Sequence, residues 1–257
     1  MTLIKRVNIL GCPFDAISFA DTVEAMRRAI THNGFLQIVP GSVDFVIKAR
    51  KDPAFASELW QAGLVVADGV PITWAASLLR DSLRGRVSGT DLVWSCAELS
   101  AETGCAVAMI GSSFDISMRA ARKMKAALPR ASLHPLPTPF PLGEEANDNL
   151  VEQISDVKAK IVLVALGAPR QERWVQANLE RCGANVGIGV GSAFDIISGD
   201  KPRAPRWLQA MGLEWMQRMM LEPKRLGRRY LIEDSPFLWH LAAELGRRIS
   251  DSNGRRA

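Results

Sequence analysis

The chain has 257 residues, 47% of them hydrophobic and 23% charged, with a formal net charge of +5. That length and apolar content suit a folded, soluble protein built as one large α/β domain or one domain plus an appendage. The short apolar stretch behind Lys5 and Arg6 lacks a cleavage pattern, no 18 apolar residues run uninterrupted, and Cys12, Cys96, Cys105 and Cys182 form no CxxC pair. These features argue against a leader, a membrane span, a zinc site and a disulfide framework, and point to the cytoplasm.

In chain order, strand-like runs fall at 7–10, 36–39, 64–67, 106–110, 161–166 and 186–190, several of them halted by Gly11, Asp68-Gly69, Gly111-Ser112 or Gly167. The run 161–166 shows no alternation of apolar and polar residues, as expected of a strand covered on both faces of a parallel sheet. Helical periodicity fits 20–31, 43–62, 70–80, 90–102, 113–128, 145–158 and 170–181. The alternation predicts βαβ units in a doubly wound, mostly parallel, Rossmann-like sheet flanked by helices, with active groups at the strands' carboxyl ends. Proline recurs at every second position from Pro135 to Pro141, which predicts a surface loop and a candidate lid. Past Pro205 the pattern turns to helices without strands, at 206–221, 222–230 and 236–249, rich in Trp, Met and Arg. The expected division is a core at 1–204 and a helical, basic C-terminal appendage at 205–257. Residues 201–257 hold twelve Lys/Arg against six Asp/Glu, so this stretch carries +6 and the first 200 residues −1. Such a tail suits an anionic partner.

Asp68 stands where a buried strand meets a helix, and two readings are open for it: a helix N-cap or a general base at a sheet edge. Arg86-Val-Ser-Gly-Thr-Asp91 offers a guanidinium, a hydroxyl and a carboxylate around a turn, although Arg86 equally suits a solvated surface. In Leu166-Gly-Ala-Pro-Arg-Gln-Glu172 an apolar strand becomes a helix start, an edge at which outward backbone N–H groups favour phosphate. Gly187-Ile-Gly-Val-Gly191 does not match a dinucleotide fingerprint, because its glycines lie inside the strand. Close backbone packing, or a base lying against the strand end, explains them better. Arg218, Arg225 and Arg228 are spaced by seven and three and share one helical face, which could neutralise a diphosphate, while their apolar neighbours could enter a membrane interface. With no Asp-x-Asp pair, and with His32, His134 and His240 scattered, a metal-bound diphosphate is not expected, so arginines and helix N-termini must offset the charge.

The order and spacing of Ala67-Asp-Gly69, Arg86–Asp91, Leu166–Glu172, Gly189–Gly199, Arg203-Ala-Pro205, Gly212-Leu-Glu-Trp215 and Glu222-Pro-Lys-Arg225 closely resemble the WecG/TagA/CpsF family of bacterial glycosyltransferases, from about residue 8 to 232. The resemblance implies a metal-independent, inverting transferase without a cofactor. Its donor substrate would be a UDP-sugar of the N-acetylmannosamine, N-acetylmannosaminuronic acid or glucose type, and its acceptor a polyprenyl-diphosphate-linked sugar in cell-surface polysaccharide synthesis. It further implies a peripheral place at the cytoplasmic membrane face, an anionic membrane surface as partner, no nucleic acid, and compatibility with a homo-oligomer. Carried over by motif, Asp68 is the base. Ser42, Arg86, Asp91, Gly167, Pro169, Gln171, Glu172, Gly191, Phe194, Asp195 and Arg203 line the substrate site, and Arg218, Arg225 and Arg228 close over the diphosphate. The chain departs from the family where Pro40-Gly41-Ser42 replaces Thr-x-Asn, so that Ser42 only partly substitutes for two expected substrate contacts. An epimerase or dehydrogenase would need a nicotinamide site that Ile9–Asp15 lacks. An inactive relative serving as a UDP-sugar or lipid-binding regulatory module is the alternative.

Overall fold

A computed structural model describes residues 4–205, 208, 214–221 and 234–254, with the backbone alone at 215, 218, 219, 221, 249 and 251–254. Strands β3 (Leu36–Gly41), β4 (Leu64–Ala67), β5 (Ala106–Gly111), β6 (Ser132–Pro135), β7 (Ala159–Ala165) and β8 (Val186–Gly189) form one parallel sheet in the order β4-β3-β8-β7-β5-β6. Helices α1 (Phe19–Thr31), α5 (Gly89–Thr103), α6 (Phe114–Ala127) and α9 (Ala193–Ser198) contribute to one apolar cluster. The clusters on the other face are built from α2 (Val43–Lys51), α3 (Pro53–Gln61), α4 (Val70–Leu78), α7 (Glu144–Asp156) and α8 (Arg170–Asn178). Alternate residues of a strand serve opposite faces: Leu64 and Val66 join one cluster, Val65 and Ala67 the other, and Ile161 and Leu163 are likewise divided from Val162 and Val164. The unbroken apolar runs follow from this covering of both faces. The doubly wound α/β class expected from the sequence is the observed one.

Two local expectations are corrected. The run at 7–10 is not a strand of the main sheet: β1 (Arg6–Ile9) pairs antiparallel with β2 (Cys12–Asp15) in a separate hairpin. Leu10 and Gly11 turn it with φ values of 54° and 93°, the doubly positive geometry that matches the twist of paired strands. A bidentate pair ties the two hairpin strands together, Arg6 Nε and Nη2 donating to Asp15 at 2.9 and 2.8 Å, and Asp15 Oδ2 fastens the hairpin to the edge strand by accepting from the Val65 N–H at 2.7 Å. The helix expected over 43–62 is two helices, because Pro53 keeps Asp52 out of the helical region (φ −125°, ψ 95°). Asp52 then caps α3 through the N–H groups of Ala54 and Phe55, both at 3.1 Å.

The proline-rich loop is tied down at its start. Leu136 N–H donates to Met109 O, and Thr138 Oγ1 accepts from the Gly111 N–H at 2.9 Å. Phe140 is exposed, with the Arg170 guanidinium 4.7 Å over its ring. Beyond the core, α10 (Glu214–Leu221) returns to the strand ends through Glu214. Helix α11 (Pro236–Gly254) sinks Phe237 and Leu241 into the cluster formed by the hairpin, α2, α3 and α4. Among the described residues no helix is long and apolar enough to cross a membrane.

Candidate active site

Asp68 follows the last residue of β4, and its N–H still donates to Gly41 O at 2.8 Å, so the sheet itself fixes its position. Gly69, at φ 135°, turns the chain into α4 and occupies the N-cap position of that helix. Asp68 therefore does not cap its own helix. Its Oδ2 instead accepts from the Gly89 N–H at 3.1 Å, at the first turn of α5, a helix whose own N-cap Ser88 makes no side-chain capping bond. The helix start lends positive potential to the carboxylate. Val87 N–H donates to Ala67 O at 2.9 Å and lays the 86–88 segment along the strand end.

This places Arg86 Nε 3.8 Å from Asp68 Oδ1, while Arg86 Nη2 donates to Glu214 Oε2 at 2.7 Å. One guanidinium thus stands between two carboxylates. Arg86 Nε is buried and lacks a hydrogen-bond partner, a donor without its acceptor. Arg86, Ser88, Asp91 and Phe19 line a cavity of about 230 Å³. Asp91 also pairs with Arg203, so two residues expected at the site meet each other at its rim. Asp68 remains one-third exposed and Arg86 one-fifth, so both can be approached from solvent.

A second cluster lies beneath the ends of β7 and β8. Gln171, 3% exposed, accepts with Oε1 from the N–H groups of both Gly167 and Gly191, each at 3.1 Å, and its Nε2 donates to Glu172 Oε1 at 2.7 Å. The expectation that backbone N–H groups at the 166–172 edge point outward to a phosphate is corrected at Gly167, whose N–H is already taken by a side-chain oxygen. Glu172 is 2% exposed, and burial pushes its carboxyl up to about 7. Gly189 makes room for the pair, since a Cβ there would lie 2.5 Å from Glu172 Oε1 and 2.6 Å from Gln171 Nε2. Close packing thus accounts for two of the strand's glycines, because a Cβ at Gly187 would meet Val175 at 2.4 Å. Pro169 precedes α8, and the Ala168 carbonyl before it accepts from Lys48 Nζ at 2.9 Å.

The remaining expected residues scatter. Ser42 is the N-cap of α2 but makes no side-chain capping bond. Asp195 pairs with Lys201 at 3.1 Å, and Ser112 Oγ reaches it at 3.5 Å. Phe194 is corrected outright: it is fully buried among the core side chains and cannot touch a ligand from there. The backbone of Arg218 lies in α10, but its side chain, like Arg225 and Arg228 entirely, lies outside the described residues. Sequence reasoning missed Glu214 and Lys48 as site neighbours. Glu214 sat in a motif without a role, and Lys48 was visible only as the i+4 partner of Asp44, to which it is paired at 2.8 Å. Among the described residues no three His, Cys, Asp or Glu side chains converge as a metal site.

A parallel α/β sheet that presents an approachable carboxylate beside a guanidinium at its strand ends is equipped to take a proton from a hydroxyl and to offset an anionic leaving group. The chain belongs to the glycosyl transferase WecG/TagA/CpsF family, which it matches over residues 7–251, and is a glycosyltransferase. It is similar to the N-acetylglucosaminyldiphosphoundecaprenol N-acetyl-beta-D-mannosaminyltransferases of Staphylococcus aureus strains MRSA252, NCTC 8325 / PS 47 and COL. Each is 26% identical over 246 residues, covering 95% of this chain and 94% of the relative.

Proposed function

We propose that the protein moves a sugar from a UDP-sugar onto a polyprenyl-diphosphate-linked sugar, with inversion at the anomeric carbon and without a metal ion. The observation that carries the reading is the Asp68 carboxylate, set at the strand end 3.8 Å from the Arg86 guanidinium. Asp68 accepts the proton of the acceptor hydroxyl while that oxygen attacks the anomeric carbon from the face opposite UDP. The C–O bond to the diphosphate breaks, and the electron pair leaves with UDP. Arg86, with a buried Nε still unpartnered, is placed to meet charge as it develops on the diphosphate. Arg218, Arg225 and Arg228 are assigned the outer part of that task, and Ser42, Asp91, Asp195 and Arg203 the sugar and nucleotide contacts. The N-acetylmannosaminyl group named for the staphylococcal relatives, together with their N-acetylglucosaminyl-diphosphoundecaprenol acceptor, is the first pair to test.

A lipid-linked acceptor requires the protein to work at a membrane face. The excess of positive charge in the last 57 residues suits that place, as do Trp239, 80% exposed, and the exposed Leu238 and Met220. Release of UDP from UDP-N-acetylmannosamine in the presence of the purified acceptor, measured with and without EDTA, tests the reading. Turnover that needs the acceptor and ignores EDTA is expected; turnover abolished by EDTA would remove the metal-independent mechanism. The second reading, an inactive binding relative, draws on Pro40-Gly41-Ser42, and donor binding without acceptor-dependent turnover of any UDP-sugar would establish it.

A further inference from the structure

Glu172 is fully buried, titratable and unused by the mechanism above. The oxygen of Gln171 must face two N–H donors, those of Gly167 and Gly191. Its amide nitrogen must therefore find an acceptor on the opposite side, and Glu172 Oε1 is that acceptor at 2.7 Å. Turned over, the same amide would set its NH₂ against two N–H groups. Two loops that end different strands are thus held to a single oxygen whose orientation a neighbouring carboxyl selects.

We propose that Glu172 is a positioning residue: by holding the Gln171 amide, it fixes the staple between the loops after β7 and β8 that shapes the donor pocket. The assignment rests on the donor site proposed above. The geometry also makes the staple sensitive to protonation. Glu172 Oε2 is buried with no hydrogen-bond partner, so on ionisation a charge taken out of water keeps the Gln171 amide at Oε1 but gains no side-chain donor at its second oxygen. The charged groups that act on Glu172 are Lys48 and Asp44 of α2. Strand β3 contributes only the neutral Gln37 amide, which donates to the Glu172 main-chain carbonyl at 2.9 Å, and β8 presents the bare Gly189. Lys48 is already shared between Asp44 and Ala168 O. An ionised Glu172 competes for that ammonium and draws it from the carbonyl that anchors the turn before Pro169.

The test uses the full chain and its E172Q and E172L variants, with UDP-N-acetylmannosamine as probe, between about pH 6 and pH 8.5. Wild-type affinity should fall several-fold as pH rises through about 7, whereas E172Q, a permanent stand-in for the protonated acid, should be flat within about twofold. E172L should bind roughly tenfold more weakly at every pH, and the Gly167 and Gly191 amides should exchange roughly tenfold faster, the scale of one lost hydrogen bond. E172Q should leave both amides protected. An E172Q protein that keeps the wild-type pH dependence, or an E172L protein whose two amides exchange as in wild type, overturns the proposal. If the wild-type chain binds no UDP-sugar, the donor reading fails on its own, and amide exchange, which needs no ligand, still decides the staple.

Discussion

Two edges of the same sheet are built in opposite ways. At the end of β4, Asp68 and Arg86 are partly solvated, and Arg86 holds a carboxylate on either side. Beneath β7 and β8, Gln171 and Glu172 are dry, their bonds are internal, and a missing Cβ makes the space for them. The open edge can change partners during a reaction at little cost, because water replaces what leaves. The closed edge cannot, since any partner lost there stays lost. The proposed mechanism accordingly gives chemistry to the first edge and geometry to the second, although all four residues sit in motifs of the same family.

Substitutions at the two edges should fail in different currencies. Asp68→Asn, which keeps the shape but cannot take a proton, should lower turnover by roughly 10²–10⁴ with little change in melting temperature. Near-normal turnover in a folded D68N enzyme would strip Asp68 of its role. Arg86→Ala should lower turnover by roughly 10²–10³, the scale of one lost electrostatic stabiliser, and an effect confined to KM would show that Arg86 binds the ground state and the transition state equally. At the closed edge the readout is stability. Because burial raises Glu172 from 4.5 to about 7, its contribution is complete below the unfolded value and is lost as pH climbs through the folded one. Between about pH 4.5 and 7 this amounts to a loss on the order of 3 kcal/mol, and Glu172→Gln should flatten that slope in a melting-temperature profile. The smallest effect is expected for Gly189→Ala, about 1–3 kcal/mol from crowding the pair, visible in denaturant unfolding. A neutral G189A would mean that the dyad yields more readily than its burial implies.

Much of the sheet was legible because its cause is local. A strand covered on both faces is apolar at every position, and Ile161–Val164 displays this in four letters. The 7–10 run, Val-Asn-Ile-Leu, alternates instead: Asn8 is exposed between buried Val7 and Ile9, as suits one strand of a hairpin packed by a single face, but four residues alone do not say which sheet they join. The break between α2 and α3 was written in Pro53 but overridden by continuous apolar periodicity across it. For Asp68 the strand-to-helix position was readable, whereas the helix it caps begins 21 residues further on, a pairing that only the folded chain brings about. Gln171 and Glu172 were assigned to the substrate site by the family motif alone, which carries no sign of how deeply they are buried. Their burial depends on Gly189 from another strand and on Lys48 from another helix.

Gly41 carries a practical lesson for anyone wishing to alter which sugar this enzyme accepts. A methyl group at that position would stand 3.0 Å from the Phe14 ring and 3.4 Å from Val65, so the middle letter of Pro40-Gly41-Ser42 is held by the hairpin behind it. A side chain grafted at position 41 would ask the Phe14 ring to give by a few tenths of an ångström. On the site reading proposed above, Ser42 is the position to vary, and a library built around a constant Gly41 measures its part in selectivity without crowding the hairpin.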